Sequence, residues 1–203
     1  MNLKGYTIEK TFSLFPTCVI AFDLSGHTSI STLLEVIDET KQLCRPHGLL
    51  ENSISSFGII PILDDPRLLN LKNTMQLCIF DYASIAGLEN IYITNNWYNI
   101  MGAGARVNAH RHYGSTVSGA FYPLLTSGSS NLFFNSPIAQ CKMNDIATTQ
   151  GENNVFSALE TEIDIKENHL YLFPSWLDHG VNVNTTSNRI VISFNTDRKK
   201  WKM

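Results

Sequence analysis

The chain has 203 residues, of which 43% are hydrophobic and 16% are charged. This composition suits a folded globular protein and excludes an intrinsically disordered one, which needs low hydrophobicity and high net charge. The net charge of −3 gives no overall attraction for nucleic acid, and the basic run Arg198-Lys199-Lys200 is interpreted as a solvated tail, so we expect no nucleic-acid partner.

The first part of the chain predicts one strand and one helix. Residues 11–24 are rich in β-branched and aromatic residues and predict an opening strand that is interrupted at Pro16. A helical stripe begins at Thr32, where Thr32 and Glu35 have the spacing of a capping box, and it ends before Pro46.

A second helix is followed by a run of short strands. Asp65-Pro66 predicts the helix start, with the aspartate as N-cap, and the apolar stripe fades at Gly87. Strands are predicted at 91–94, 96–100, around His110 after a glycine turn at Gly102 and Gly104, and at 118–125, 130–134, 162–165, 169–173 and 189–195. This order predicts a single α+β domain, mainly β, in which the N-terminal helices buttress a β-barrel.

Three histidines are the candidate metal ligands. His110 and His112 lie at i and i+2, so on an extended chain both side chains point to the same face. His179 follows a turn and begins a later strand, from which it could complete a facial set around one divalent metal. The alternative interpretation of His110 and His112 is a pair of polar strand residues that face solvent. His27 and His47 are predicted to be solvated loop residues.

The last strand carries a candidate anion-binding residue. Alternation places Arg189, Val191, Ser193 and Asn195 on one face, with apolar residues on the other. An arginine on the inner face of a barrel is costly without an anionic partner, and a ligand carboxylate is a natural one.

Four segments together resemble the 2-oxoglutarate- and Fe(II)-dependent oxygenases of phage and bacterial type. They are Trp97-Tyr98-Asn99-Ile100, His110-Arg111-His112, Ser118-Gly-Ala-Phe-Tyr-Pro, and Leu172-Phe-Pro-Ser-Trp-Leu-Asp-His-Gly-Val with the closing Arg189-Ile-Val-Ile-Ser-Phe-Asn. The resemblance covers roughly residues 90–197. It implies a double-stranded β-helix (jelly-roll or cupin-like) core at 90–197, supported by the strand and helices of 1–89. It also implies Fe(II) and 2-oxoglutarate as cofactors, with O2 as cosubstrate.

The resemblance assigns site residues position by position. His110 and His179 match the two metal histidines, and Arg189 matches the basic residue that binds the distal carboxylate of 2-oxoglutarate. Further candidates for the 2-oxoglutarate pocket are Tyr122, Ser193 and Asn99.

Two positions depart from the wider superfamily. His112 stands where the superfamily has a carboxylate, so three neutral imidazoles would leave the full 2+ charge on the metal. Val191 stands where a serine often follows the arginine. Asp178, beside His179, is expected to point away from the site because adjacent strand residues face opposite sides.

Three functions are compatible with this pattern. The first is an oxygenase that hydroxylates a C–H bond of a peptide, a protein or a small metabolite and releases succinate and CO2. The second is a three-histidine cupin-like metal enzyme that does not use 2-oxoglutarate, and the third is a non-catalytic jelly-roll binding or structural module. The primary substrate and the oligomeric state stay open.

The expected location is the cytoplasm. The four cysteines, Cys18, Cys44, Cys78 and Cys141, are widely spaced without a Cys-x-x-Cys pair, which predicts reduced thiols. The N-terminus lacks the pattern of a signal peptide, and no apolar run reaches the roughly 20 residues of a membrane span, so no membrane partner is expected.

Overall fold

Strands dominate the structure, a computed structural model that describes residues 9–48, 50–142, 154 and 156–198. In chain order the elements are β1 (Ile20–Asp23), α1 (Ile30–Thr40), β2 (Leu50–Ser55), α2 (Leu69–Ala86), β3 (Ile91–His110), β4 (Val117–Leu125), β5 (Leu132–Asn135), β6 (Glu160–Ile163), β7 (His169–Pro174), β8 (His179–Val181) and β9 (Arg189–Arg198). The last two residues of the predicted basic tail, Lys199 and Lys200, lie outside the described residues.

The nine strands found in the described residues form one antiparallel sheet. Their order is β1-β7-β4-β9-β3-β8-β5-β6, and β2 pairs with the remaining side of β3. The sheet curls into a half-barrel with two helices, as in the jelly-roll, or double-stranded β-helix. The predicted α+β, mainly β fold class is therefore confirmed.

Strand β3 joins the two parts of the sheet. Residues 91–101 pair with β9, and the end of the same strand pairs with β8 through Val107 and His110. The prediction of separate strands divided by a glycine turn was therefore wrong. Gly104 has a φ of 79°, which bends the chain, and its N–H donates to the carbonyl of Asn184, so the strand continues past the bend.

The helices pack on one face of the sheet. Leu71, Met75 and Ile79 of α2 are fully buried in a core that also contains Ile192 and Phe194 of β9. Burying each side chain of this kind stabilises the fold by about 1.5–3 kcal/mol. Because side chains alternate along β9, its other face is left for a second cluster and a cavity.

The helix starts differ in detail from the predictions. Helix α1 begins at Ile30, and the Leu33 N–H bonds the Ser29 carbonyl, so the predicted capping position Thr32 lies inside the helix. Asp65 accepts a bond from the Arg67 N–H as predicted, but the first turn is a 3-10 turn that precedes α2. Within the described part of the chain, no helix combines the length and apolar character that crossing a membrane requires.

Two N-terminal strands were not predicted correctly. Only Ile20–Asp23 of the predicted strand 11–24 pairs with the sheet, while the side chain of Phe15 is 96% exposed. Strand β2 was missed because its sequence lacks apolar alternation. It is held by pairing with β3, and it contains an irregularity at Asn52, where φ is 50°.

A substitution at Gly119 tests the packing of the helix-facing core. A Cβ built at Gly119 would overlap the ring of Phe194, which is fully buried. We expect Gly119→Ala to lower the free energy of unfolding by about 1–3 kcal/mol through overpacking. Urea unfolding measures this change, and Gly26→Ala is the matched control because its Cβ would meet no atom within 4 Å. Equal urea midpoints of unfolding for the two variants would contradict the close packing of Gly119 against Phe194.

Candidate active site

A cavity of about 240 Å³ opens on the face of β9 that points away from the helices. The residues predicted for the site all line it: Asn99, His110, His112, Tyr122, His179, Arg189 and Ser193. The structure therefore brings the predicted residues together, whereas their functional roles stay predictions.

Three imidazoles meet in the cavity. His110 ends β3 and is paired directly with His179, the first residue of β8. His112 follows β3, and its N–H is held by the Ser175 carbonyl at 3.0 Å. One ring nitrogen from each histidine lies within 4.8 Å of the other two, and the Nε2 atoms of His110 and His112 are 3.1 Å apart.

Hydrogen bonds to main-chain oxygens fix the tautomer of two of these rings. The Nδ1 atom of His110 lies 2.9 Å from the Asn108 carbonyl oxygen, and that of His179 lies 2.8 Å from the Leu177 carbonyl oxygen. A carbonyl oxygen can only accept a hydrogen bond, so Nδ1 carries the proton and Nε2 presents its lone pair. The Nδ1 atom of His112 faces the side-chain oxygen of Asn195.

Burial keeps the three imidazoles neutral. It lowers the pKa of His110 and of His112, and it lowers the pKa of His179 to about 3, with further lowering because a protonated His179 would be repelled by a protonated His110. At neutral pH each ring therefore has a free lone pair. Neutral imidazole is the form of histidine that binds metal.

The donor set fits iron. Imidazole nitrogen is a common ligand of Fe(II), and three of them on one side leave open positions for other ligands. Asp178, the carboxylate beside His179, bonds Asn135 at 3.1 Å and is not part of the histidine cluster. The expectation that Asp178 points away from the metal ligands agrees with this geometry.

Arg189 fits a ligand carboxylate. Its guanidinium is fully buried, its Nε donates to the Ser130 carbonyl at 3.2 Å, and its Nη1 contacts the sulfur of Met101. Nη2 has no hydrogen-bond partner, and no carboxylate among the described residues forms an ion pair with Arg189. Burial lowers its pKa, because a buried cation is costly until an anion accepts its hydrogen bonds.

Two polar groups accompany Arg189. The Tyr122 ring centroid is 4.9 Å from the guanidinium carbon, and burial raises the pKa of the Tyr122 hydroxyl, which therefore stays a proton donor. The side-chain oxygen of Asn99 is buried without a hydrogen-bond partner. Both residues line the cavity, so a polar ligand there could satisfy them.

An aromatic wall that the sequence did not predict lines the same cavity. His47, predicted to be a solvated loop residue, is half-buried and lies against Phe57 with a centroid distance of 5.1 Å. Phe57 in turn lies edge-on to Trp97 at 4.9 Å.

His27, also predicted to be solvated, is half-buried and bonds the Thr74 hydroxyl at 3.1 Å. Both corrections arise from contacts between distant segments, which local turn patterns do not encode.

Sequence comparison identifies a family for the central and C-terminal region. Residues 95–195 match the family described as "Putative 2OG-Fe(II) oxygenase". The comparison with curated proteins finds no match. The matched region contains the three histidines and Arg189, together with β4 to β8 and most of β3 and β9.

Solved structures share the fold. A prolyl-4-hydroxylase from Pseudomonas putida is 11% identical, covers 91% of this chain and 94% of its own, and has a TM-score of 0.62. The viral collagen prolyl hydroxylase of Paramecium Bursaria Chlorella virus-1 in its 2OG complex is also 11% identical, with coverages of 89% and 96% and a TM-score of 0.55. The non-heme α-ketoglutarate-dependent carbocyclase SnoK from nogalamycin biosynthesis is 7% identical, with coverages of 90% and 80% and a TM-score of 0.65.

The matched region indicates the family, the solved structures share the fold, and the cavity contains three convergent imidazoles and a buried guanidinium. The chain belongs to the 2OG-Fe(II) oxygenases, whose cofactors are Fe(II) and 2-oxoglutarate.

Proposed function

We propose that the protein is a 2-oxoglutarate- and Fe(II)-dependent dioxygenase that hydroxylates a C–H bond and releases succinate and CO2. One observation supports this most directly. A single cavity contains three convergent imidazole nitrogens and a buried guanidinium whose Nη2 has no hydrogen-bond partner. In this proposal the imidazoles form a metal subsite and the guanidinium forms a carboxylate subsite.

Each residue has a definite role in this proposal. His110, His112 and His179 hold the metal, and Arg189 binds the distal carboxylate of 2-oxoglutarate with Tyr122 beside it. When bound, Fe(II) with 2-oxoglutarate and O2 supplies the oxidising power for cleavage of an unactivated C–H bond.

The chain itself sets charge and solvent access. Because all three candidate ligands are neutral, the metal keeps its full charge and favours anionic ligands such as 2-oxoglutarate. Apolar side chains, including Phe173, Leu132 and Val191, line the cavity and exclude water from the reacting groups.

The metal role is tested by removing one imidazole. We expect His179→Ala to lose stoichiometric binding of Fe(II) or Co(II), because a two-nitrogen set lacks the third ligand. Metal analysis and calorimetry measure the loss. His27→Ala is the control, since His27 is half-buried but lies outside the cluster. Full metal occupancy in His179→Ala would contradict the assignment, and no metal in the unchanged protein would favour a non-catalytic module.

The 2-oxoglutarate role is tested at Arg189. Arg189→Met removes the buried cation with little change in volume, and we expect 2-oxoglutarate to bind at least about 30-fold more weakly, since loss of one partner of a buried charge pair costs about 2–5 kcal/mol. Calorimetry with the metal-loaded protein measures the affinity. Arg111→Met is the matched control, because Arg111 also lines the cavity but is exposed.

The outcome of that titration separates the candidate enzymes. Equal 2-oxoglutarate binding in the two arginine variants would contradict the role of Arg189. If the metal-loaded protein consumed O2 without 2-oxoglutarate, the three-histidine cupin-like enzyme would be the better description.

The proposed target is an uncharged apolar group, such as a prolyl or aliphatic side chain of a peptide. The charged side chains that line the cavity are Arg111 and Arg189, and no carboxylate among the described residues lines it. Phe57 and Trp97 offer aromatic surface beside the histidines. Two of the three solved structures reported above are prolyl hydroxylases, one of them named a collagen prolyl hydroxylase, which supports a peptide substrate.

Substrate charge provides the corresponding test. Peptides that present proline or leucine should stimulate succinate release and gain one oxygen atom, whereas otherwise identical peptides with lysine should not, because no anion compensates the desolvated ammonium. Coupled succinate assays and mass spectrometry measure both products. Preferential oxidation of the lysine peptides would contradict this substrate class.

A further inference from the structure

His112 is held differently from the other two imidazoles. His110 and His179 donate their Nδ1–H to main-chain oxygens, which can only accept. The Nδ1 atom of His112 instead faces the side-chain oxygen of Asn195 and, at 3.0 Å, the hydroxyl of Ser118. An amide and a hydroxyl can each donate or accept. The tautomer of His112 therefore depends on how these side chains are oriented.

A chain of serine hydroxyls determines that orientation, beginning at Ser115. The Ser115 Oγ lies 3.1 Å from the Val117 carbonyl oxygen and 2.9 Å from the Thr196 carbonyl oxygen. Because both neighbours only accept, the single hydroxyl proton of Ser115 is donated to the main chain. Ser115 Oγ then accepts from the Ser175 hydroxyl at 2.8 Å.

The same reasoning continues to the imidazole. The one proton of Ser175 is donated to Ser115, so in the 2.8 Å contact between Ser118 and Ser175 the donor is Ser118. The Ser118 Oγ has no second proton, so it can only accept from the Nδ1–H of His112. Ser118 and Ser175 are both fully buried, which excludes solvent as an alternative partner.

Adjacent strands bring this chain of groups together. Ser118 on β4 is paired with Asn195 on β9 and with Phe173 on β7, and Ser175 directly follows β7. The sheet order β7-β4-β9 therefore places all acceptors of His112 on one continuous piece of sheet.

We propose that Ser115, Ser175 and Ser118 form a directional hydroxyl chain, here named the serine relay, which together with Asn195 holds His112 as its Nδ1–H tautomer and turns the Nε2 lone pair to the metal. These are positioning residues, since they act through His112. The inference rests on the proposed function, because it takes His112 as the third metal ligand.

Ser175 provides the sharpest test, because its side chain does not contact His112 and its main-chain bond to the His112 N–H survives substitution. In Asn195→Ala the relay alone holds the ring, and we expect the Nδ1–H tautomer to persist. Adding Ser175→Ala frees the Ser118 proton to donate to Nδ1. The ring should then change to the Nε2–H tautomer, and Co(II) affinity should fall about 10–100-fold relative to Asn195→Ala.

Two measurements read these outcomes on the full chain. Long-range ¹H–¹⁵N correlation spectra of the metal-free protein report which nitrogen of His112 carries the proton, and calorimetry with Co(II) reports affinity. Asn195→Ala with Ser129→Ala is the matched control, because the Ser129 hydroxyl bonds Thr186 and is not among the residues lining the cavity.

Rescue separates positioning from a general structural effect. Asn195→Asp in the Ser175→Ala background should restore the Nδ1–H tautomer and Co(II) binding, because a carboxylate only accepts.

If Asn195→Ala with Ser175→Ala folds poorly, Asn195→Ala with Ser118→Ala replaces it and should likewise lose the Nδ1–H preference. Retention of the Nδ1–H tautomer and of Co(II) affinity without Ser175 and Asn195 would refute the relay. Absence of Co(II) binding to the unchanged protein would instead refute the metal site, while the spectra would still test the relay.

Discussion

The alternation of side chains along β9 is the constraint on which the rest of the site depends. Its even-numbered residues Ile190, Ile192 and Phe194 join the core beneath the helices, while Arg189, Val191, Ser193 and Asn195 line the cavity. A shift of one residue in its pairing with β3 and β4 would exchange the two faces. The cost of burying a charged guanidinium in the helix-facing core thus fixes the register that places Asn195 beside His112.

The register of β9 also determines the charge of the site, because it places Arg189 in the cavity. The cavity combines three neutral imidazole nitrogens with one buried cation, Arg189, and no acid among the described lining residues. Beside its metal-ligand cluster, such a cavity favours anionic over cationic organic ligands. The hydroxyl chain behind His112 then matters more than it would behind a carboxylate ligand, because an imidazole can bind metal through Nε2 only in the tautomer that has its proton on Nδ1.

The sequence predicted the structure correctly where a local residue pattern determines the conformation of the chain. The alternation of polar and apolar residues along β9 correctly predicted that Arg189 and Ser193 share the cavity face. Asp65-Pro66 correctly predicted where the second helical region begins. Errors arose where distant pairing overrode local patterns. Gly104 bends β3 without ending it, and β2 is extended because it pairs with β3. His47 and the relay serines meet their partners only in the folded sheet, so no spacing in the sequence reveals them.

The position of β9 also constrains the order in which the protein can fold. This strand lies between β4 and β3 in the sheet, yet every other strand precedes it in the chain. Until β9 inserts, β4 and β3 each present an unpaired edge, and such edges are sites of misassembly. Joining them requires contacts between residues far apart in sequence, which slows folding. The strand that completes the active site is therefore the one that closes the sheet during synthesis.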